Sequence, residues 1–207
     1  MTRSTSGVRR SFALALIGSL SVGCAAIARR PWPMMQVVPP GATEPAIPPG
    51  DARLTFFVED ERSLGFGDPA DAFYVLDGSG HLVGALRWGS AVSVDLPAGE
   101  QAFFEWDPFV PNAFASPIDA AMKATLTAGR SYWVRLTTRP RPFYQSAVIP
   151  HFVQVNPPPT ALLESLTRLR TEPRATSEWE ARHASELSTL VAAGREKLDK
   201  GGFAVIR

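Results

Sequence analysis

Cys24 is the only cysteine among the 207 residues, and it stands at the end of a short apolar run. Arg3, Arg9 and Arg10 come before that run, Ser11 to Val22 make it up, and Gly23 precedes the thiol. A basic segment, an apolar segment and a small residue at the cut make an export signal. A thiol placed at the cut is the nucleophile that a diacylglyceryl donor needs. The spacing predicts cleavage before Cys24 and a lipid on its sulfur. Ser21 stands where such signals usually carry Leu, and Leu20 lies one place early. A rival cut follows Ala26-Ile27-Ala28, which satisfies the A-x-A rule and would release a soluble periplasmic or secreted protein. An uncleaved anchor fits less well, because about 15 apolar residues fall short of the roughly 20 that a spanning helix needs. Ala25 follows the cysteine where an Asp would favour the inner membrane, so the outer membrane, on its periplasmic side, is the expected address.

The remaining polar chemistry points away from catalysis. His81, His151 and His183 fall in a turn, a β run and a helical stripe, with no His-x-x-x-His spacing. Zinc needs three or four converging ligands, so no metal is expected. Asp68, Asp71 and Asp77 lack the ligand spacing and closing Glu of a calcium loop and read as turn formers. Ser63 and Ser146 sit in no Gly-x-Ser-x-Gly elbow. Gly65-Phe66-Gly67 resembles the start of a dinucleotide fingerprint, but Asp68-Pro69 and then a β run follow where a helix should open. Glu59-Asp60-Glu61 reads as a solvated strand end. No catalytic residue and no cofactor are expected.

What remains is surface. Residues 107–118 form a long segment carrying Phe109, Val110, Phe114 and Ile118, and Arg139-Pro-Arg-Pro-Phe143-Tyr144 is a second, basic and aromatic one. Apolar loop residues either mark an interaction surface for a partner or fold back to plug the end of a sandwich; both readings stand. Phe103, Phe104, Trp106, Tyr132 and Trp133 fit a core better than a glycan platform.

Four segments follow along the chain: a signal over 1–23, a tether over 24–50, a β domain over 51–156 and a helical extension over 157–207. Residues 25–50 hold seven prolines. Proline fixes φ and lacks an N–H, so this stretch predicts a semi-extended spacer, with Trp32, Met34 and Met35 lying on the domain surface or at a bilayer. Arg53–Asp60 alternates with Leu54, Phe56 and Val58 on one face, and further short runs follow, separated by Asp77-Gly-Ser-Gly80, Pro97-Ala-Gly99 and Thr127-Ala-Gly-Arg130. That is hairpin chemistry. It predicts a mainly β fold, a small antiparallel sandwich of seven or eight strands. Thr160–Arg170, with Leu162, Leu163, Leu166 and Leu169 at helical spacing, predicts a helix. Ser177-Glu-Trp-Glu180 reads as a capping box opening a second one, with His183, Leu187, Leu190, Val191, Gly194 and Leu198 on one stripe and Gly201-Gly202 at its end.

Tyr74-Val-Leu-Asp-Gly-Ser-Gly-His-Leu-Val-Gly-Ala-Leu86, Val94-Asp-Leu-Pro-Ala-Gly99 and Leu126-Thr-Ala-Gly-Arg-Ser-Tyr-Trp-Val-Arg-Leu136 occur in that order. Together they resemble a family of small bacterial lipoprotein β-domains of unknown function, which carry a YLDG hairpin, a proline-glycine turn and an AGKTYYVR strand pair. The resemblance covers about residues 51–156. Glu100-Gln101 stands where the family has a basic residue or His. It implies a lipid-anchored sandwich and supplies no catalytic residue and no ligand.

The charge balance limits partners. The whole chain carries +1, and loss of residues 1–23 removes three arginines and no acid, leaving 18 basic against 20 acidic side chains. A near-neutral domain lacks the clustered basic face that nucleic acid requires. The sequence therefore predicts a non-enzymatic interaction or structural module of the cell envelope. It would be held to a membrane by the lipid on Cys24 and would contact an envelope protein; the alternative is a small-ligand or glycan-binding sandwich.

Overall fold

The computed structural model describes residues 34–60, 72–106, 118, 120–141, 144–201 and 203–206. They belong to one compact unit, Trp32–Arg207. The alternation of its strands builds a mainly β body of two facing sheets with helices at its C-terminal end.

The first sheet contains β1 (Met35–Val37), β2 (Asp51–Val58), β5 (Ser90–Pro97), β8 (Ser131–Arg141), β9 (Tyr144–Val155) and β10 (Thr167–Thr171), in the order β1-β10-β5-β2-β8-β9. The second contains β3 (Phe73–Asp77), β4 (Leu82–Leu86), β6 (Gly99–Trp106), β7 (Ala120–Leu126) and β11 (Ala204–Ile206), in the order β11-β7-β6-β3-β4. Both sheets are mixed. Of the three turns read as hairpins, only Asp77–Gly80 joins paired strands, β3 with β4; the 97–99 and 127–130 turns carry the chain from one sheet to the other, because β5 and β8 pair with β2 while β6 and β7 pair with each other. β2 with β8, β10 with β5 and β11 with β7 run parallel.

Side-chain alternation builds the core between the sheets. Leu54, Phe56 and Val58 of β2 point inward, as their spacing predicts, and the Phe56 ring meets Phe103 of β6 edge-on at 5.3 Å. Gly84 of β4 permits a close approach of the two layers, since a Cβ there would lie 2.6 Å from a methyl of Val92 on β5. The 77–80 turn forms as expected. Asp77 accepts the backbone N–H groups of Ser79 and His81 on its carboxylate at 2.8 and 2.9 Å, and Gly80 takes φ +93°. Asp77 is thus a turn former.

The helical region departs from expectation in two places. A single helix over 160–170 does not form. Helix α1 (Thr160–Ser165) stops early and β10 takes Thr167–Thr171. The leucine spacing fits a helix, yet Leu169 also alternates with Arg168 and Arg170, and pairing with two neighbouring strands selects that alternation. Helix α2 (Pro173–Arg182) opens four residues before Ser177. Pro173 occupies the first helical position, and the Glu172 carboxylate accepts the N–H of Ala175 at 2.6 Å. Ser177 then sits inside the helix, its hydroxyl donating to the carbonyl of Pro173. After His183, helix α3 (Ala184–Asp199) continues, and the chain turns at Gly201 with φ +77°.

Helices α2 and α3 cover the outer face of the second sheet, closing a third layer. Trp179 stacks on Tyr74 at 5.6 Å and reaches Trp106 at 6.2 Å, and the His183 ring stacks on Trp179 at 4.6 Å. Further along, Gly194 rests directly on the ring of Phe104. Leu187, Leu190 and Leu198 are buried at this contact.

The proline-rich stretch is not spacer throughout. Met34 and Met35 are buried in the core, and β1 pairs antiparallel with β10. The five residues between Pro33 and Pro39 contain no proline, which is enough for a short edge strand. The folded body therefore begins by Met34, ahead of the expected boundary at 51.

Candidate functional site

The outer face of the first sheet carries a cleft of about 1080 Å³. Register between β5, β2 and β8 arranges its floor in rows. Asp95, Arg53 and Ser131 form one row, Ser93, Thr55 and Trp133 the next, and Ala91, Phe57 and Arg135 the third. Helix α1 and its exit cover the third row, where Leu162, Leu163 and Leu166 pack on Phe57 and Ala91. The segment 38–45 lies along the first row. In the middle row Thr55 is buried, while Ser93 and Trp133 are half-buried and line the cleft.

The segment along the first row is held by charge. The Arg53 guanidinium donates from Nε and Nη2 to the two carboxylate oxygens of Asp95 at 2.7 and 2.8 Å, a bidentate pair. Its Nη1 donates to Glu44 at 3.1 Å. The second oxygen of Glu44 accepts from Arg168 at 2.8 Å, and Arg168 also donates to the carbonyl of Ala42 at 3.0 Å. The N–H of Val38 donates to the carbonyl of Arg168 at 2.8 Å. Arg53 is mostly buried, yet the bond to Asp95 outweighs desolvation and holds its pKa above the ordinary value. The guanidinium stays charged and fixed.

On the floor, the hydroxyls of Thr55 and Ser93 lie 2.8 Å apart, and Trp133 stands half-buried beside them. One wall is the ion network; the other is the apolar edge of α1. The arrangement has the form of a ligand cleft, with an aromatic, hydroxyls and a closed charge network. It offers no nucleophile with a base beside it and no pair of open carboxylates.

A second, shallower cavity of about 530 Å³ lies between the 79–81 turn and helices α2 and α3. Its one carboxylate, Glu180, holds the hairpin to the helix by accepting the N–H of Leu82 at 2.7 Å, with His81 Nδ1 at 3.4 Å from its other oxygen.

The residues singled out in the sequence fall elsewhere. Ile118, expected on an interaction surface, is fully buried in the main core; as a β-branched apolar residue next to the start of β7 it packs instead of facing solvent. Tyr144 opens β9, opposite Arg141 of β8. Cys24, Phe109, Val110, Phe114 and Phe143 lie outside the described residues, as do Trp32, Ser63, the 65–71 stretch and its aspartates. Among the described residues, no three His, Cys, Asp or Glu side chains gather as metal ligands. Glu59 pairs with Arg135 at 2.8 Å. Phe103, Phe104, Trp106 and Tyr132 are core, and Trp133, half-buried, packs against the Phe57–Ala91–Leu166 cluster while lining the cleft.

Sequence reasoning missed Arg53, Thr55, Ser93 and Asp95. Strict alternation does put Arg53 and Thr55 opposite Leu54 and Phe56, and Ser93 and Asp95 opposite Val92 and Val94. What the sequence lacks is the register that joins the two strands. Compared with known proteins, the chain matches no family model and no curated protein.

Proposed function

We propose that this chain is a lipid-anchored protein of the bacterial cell envelope, acting as a non-enzymatic interaction or structural module on the periplasmic side of the outer membrane. The observation that carries this reading is the placement of Cys24: a sole cysteine behind Gly23, closing an apolar run that follows three arginines. The three turn-and-strand motifs resembling lipoprotein β-domains support it. Among the described residues no helix is long and apolar enough to cross a membrane. Each buried methylene of an acyl chain contributes about 0.8 kcal/mol, and two or more chains give stable anchoring.

Mass spectrometry of the mature N-terminus tests the reading. The expected species begins at Cys24 with acyl chains attached, and Cys24→Ser abolishes both the modification and the membrane fraction. An unmodified N-terminus at Arg29 would refute it in favour of a soluble exported protein.

The cleft beside Trp133 favours a second reading, a small-ligand or glycan-binding sandwich, which is compatible with either N-terminus.

A further inference from the structure

We propose that the cleft over Ser93, Thr55 and Trp133 binds a neutral oligosaccharide. This deepens the small-ligand reading and rests on it.

The floor supplies the first argument. Thr55 lies opposite Ser93 on one side and Trp133 on the other, so two hydroxyls and an indole project from one row of the sheet. The Thr55 and Ser93 hydroxyls bond each other at 2.8 Å, which uses one of their two protons. Among the described residues the pair makes no other hydrogen bond. One O–H donor and several lone pairs are left for a partner in the cleft. A pyranose offers hydroxyls to such a pair along its edge and presents an apolar C–H face to an aromatic ring such as Trp133.

Charge supplies the second. The cleft is lined by three carboxylates, Glu44, Asp95 and Glu164, and by three guanidiniums, Arg53, Arg168 and Arg170. Arg53 is engaged by Asp95 and Glu44, Arg168 by Glu44 and Ala42, and Arg170 by Gln36 at 3.1 and 3.2 Å. At Arg53 or Arg168 an anionic ligand would have to displace a carboxylate already bound, and a cation would find Glu44 and Asp95 already paired. The exposed Glu164 and Arg170 add one charge of each sign. The balance favours an uncharged occupant.

Desolvation removes the other neutral class. A hydrocarbon chain laid on this floor would strip water from the hydroxyl pair and return no hydrogen bond, at a cost of roughly 1–3 kcal/mol for each group. A sugar replaces those bonds. The volume, about 1080 Å³, lies just above the roughly 300–1000 Å³ of drug-sized ligand clefts and suits several linked rings.

Isothermal titration of the full-length chain with chitotetraose, cellotetraose and maltotetraose tests the assignment, with inorganic phosphate and a free amino acid mixture as comparison probes. At least one tetrasaccharide is expected to bind with a Kd in the millimolar range or tighter. Trp133→Phe keeps the apolar packing, and Ser93→Ala removes one hydroxyl; each is expected to weaken binding about tenfold, the effect of losing roughly 1.4 kcal/mol. Circular dichroism confirms that both variants fold. If the amino acids or phosphate bind in a Trp133-dependent way and no saccharide does, the oligosaccharide assignment falls while the small-ligand reading stands. If no probe binds, or if a saccharide binds equally to both variants, the cleft is not the site and both fall.

Discussion

Gly194 stands in the middle of α3, where helix propensity alone predicts that Ala would stabilise the protein by about 1 kcal/mol. The packing predicts the opposite. A Cβ built on Gly194 lies 2.5–2.6 Å from three atoms of the Phe104 ring, whereas ordinary contact begins at 3.4 Å. Helix and ring must therefore part by roughly 0.9 Å. Neither gives easily. Phe104 is fully buried between Leu76 of β3 and Ala121 of β7, and α3 is pinned on both sides of Gly194 by Leu187, Leu190 and Leu198. Overpacking of this kind costs about 1–3 kcal/mol, and with three ring atoms inside 2.6 Å the upper part of that range applies, so Gly194→Ala is expected to be net destabilising, by up to about 2 kcal/mol once the propensity gain is set against it. Urea unfolding followed by far-ultraviolet circular dichroism reads this as a lower midpoint at unchanged slope. Adding Phe104→Leu to Gly194→Ala should restore part of the loss, so the double mutant falls short of additivity by 0.5 kcal/mol or more, as expected for side chains in contact. A higher midpoint for Gly194→Ala, or strict additivity with Phe104→Leu, would show that the helix does not bear on this ring.

Two further outcomes concern charge. Asp95→Ala leaves the mostly buried Arg53 without its bidentate partner and is expected to cost about 2–3 kcal/mol, whereas Glu44→Ala removes half-exposed pairs and should cost about 1 kcal/mol or less. Glu44→Ala should nevertheless speed amide hydrogen exchange at Val38, whose N–H binds Arg168; equal stability losses or unchanged exchange would contradict the ion network. Near the end of α3, the hydrogen bond from Lys200 holds the Glu196 carboxyl below its ordinary value of 4.5. A depressed carboxylate stabilises above its unfolded pKa and loses that contribution as pH falls through the folded one. The Glu196 carbon resonance should titrate below pH 4.5 in the native protein and return toward 4.5 in Lys200→Ala; an unmoved midpoint in that variant would exclude the pair.

Much of the β body is written in short-range pattern. Leu54, Phe56 and Val58 announce an inward face, and Asp77 with Gly80 announces a turn, because both depend on neighbours within a few residues. The parallel pairings are invisible at that range, since β10 and β11 reach their partners from the far end of the chain. Leu162, Leu163, Leu166 and Leu169 show how two periods compete: their spacing satisfies a helix, but sheet pairing on both sides makes Leu169 a strand residue. Pro173 carried a readable helix start that the nearby capping box obscured. Met34 and Met35 are more apolar than a spacer requires, and their burial is the reason. The cleft was the least legible feature. Ser93, Thr55 and Trp133 each look like ordinary strand residues, and only long-range register sets them side by side.

Strand β10 lies between β1 and β5, so the earliest strand described joins its sheet only through a segment near the C-terminus. In a chain emerging N-terminus first, β1 has no neighbour until Thr167–Thr171 arrives, and β7 gains β11 later still. Pairings of such wide separation delay folding by the entropy of closing long loops. Completion of both sheets is thus deferred to the end of synthesis, when the last fifth of the chain supplies an inner strand to one and an edge strand to the other.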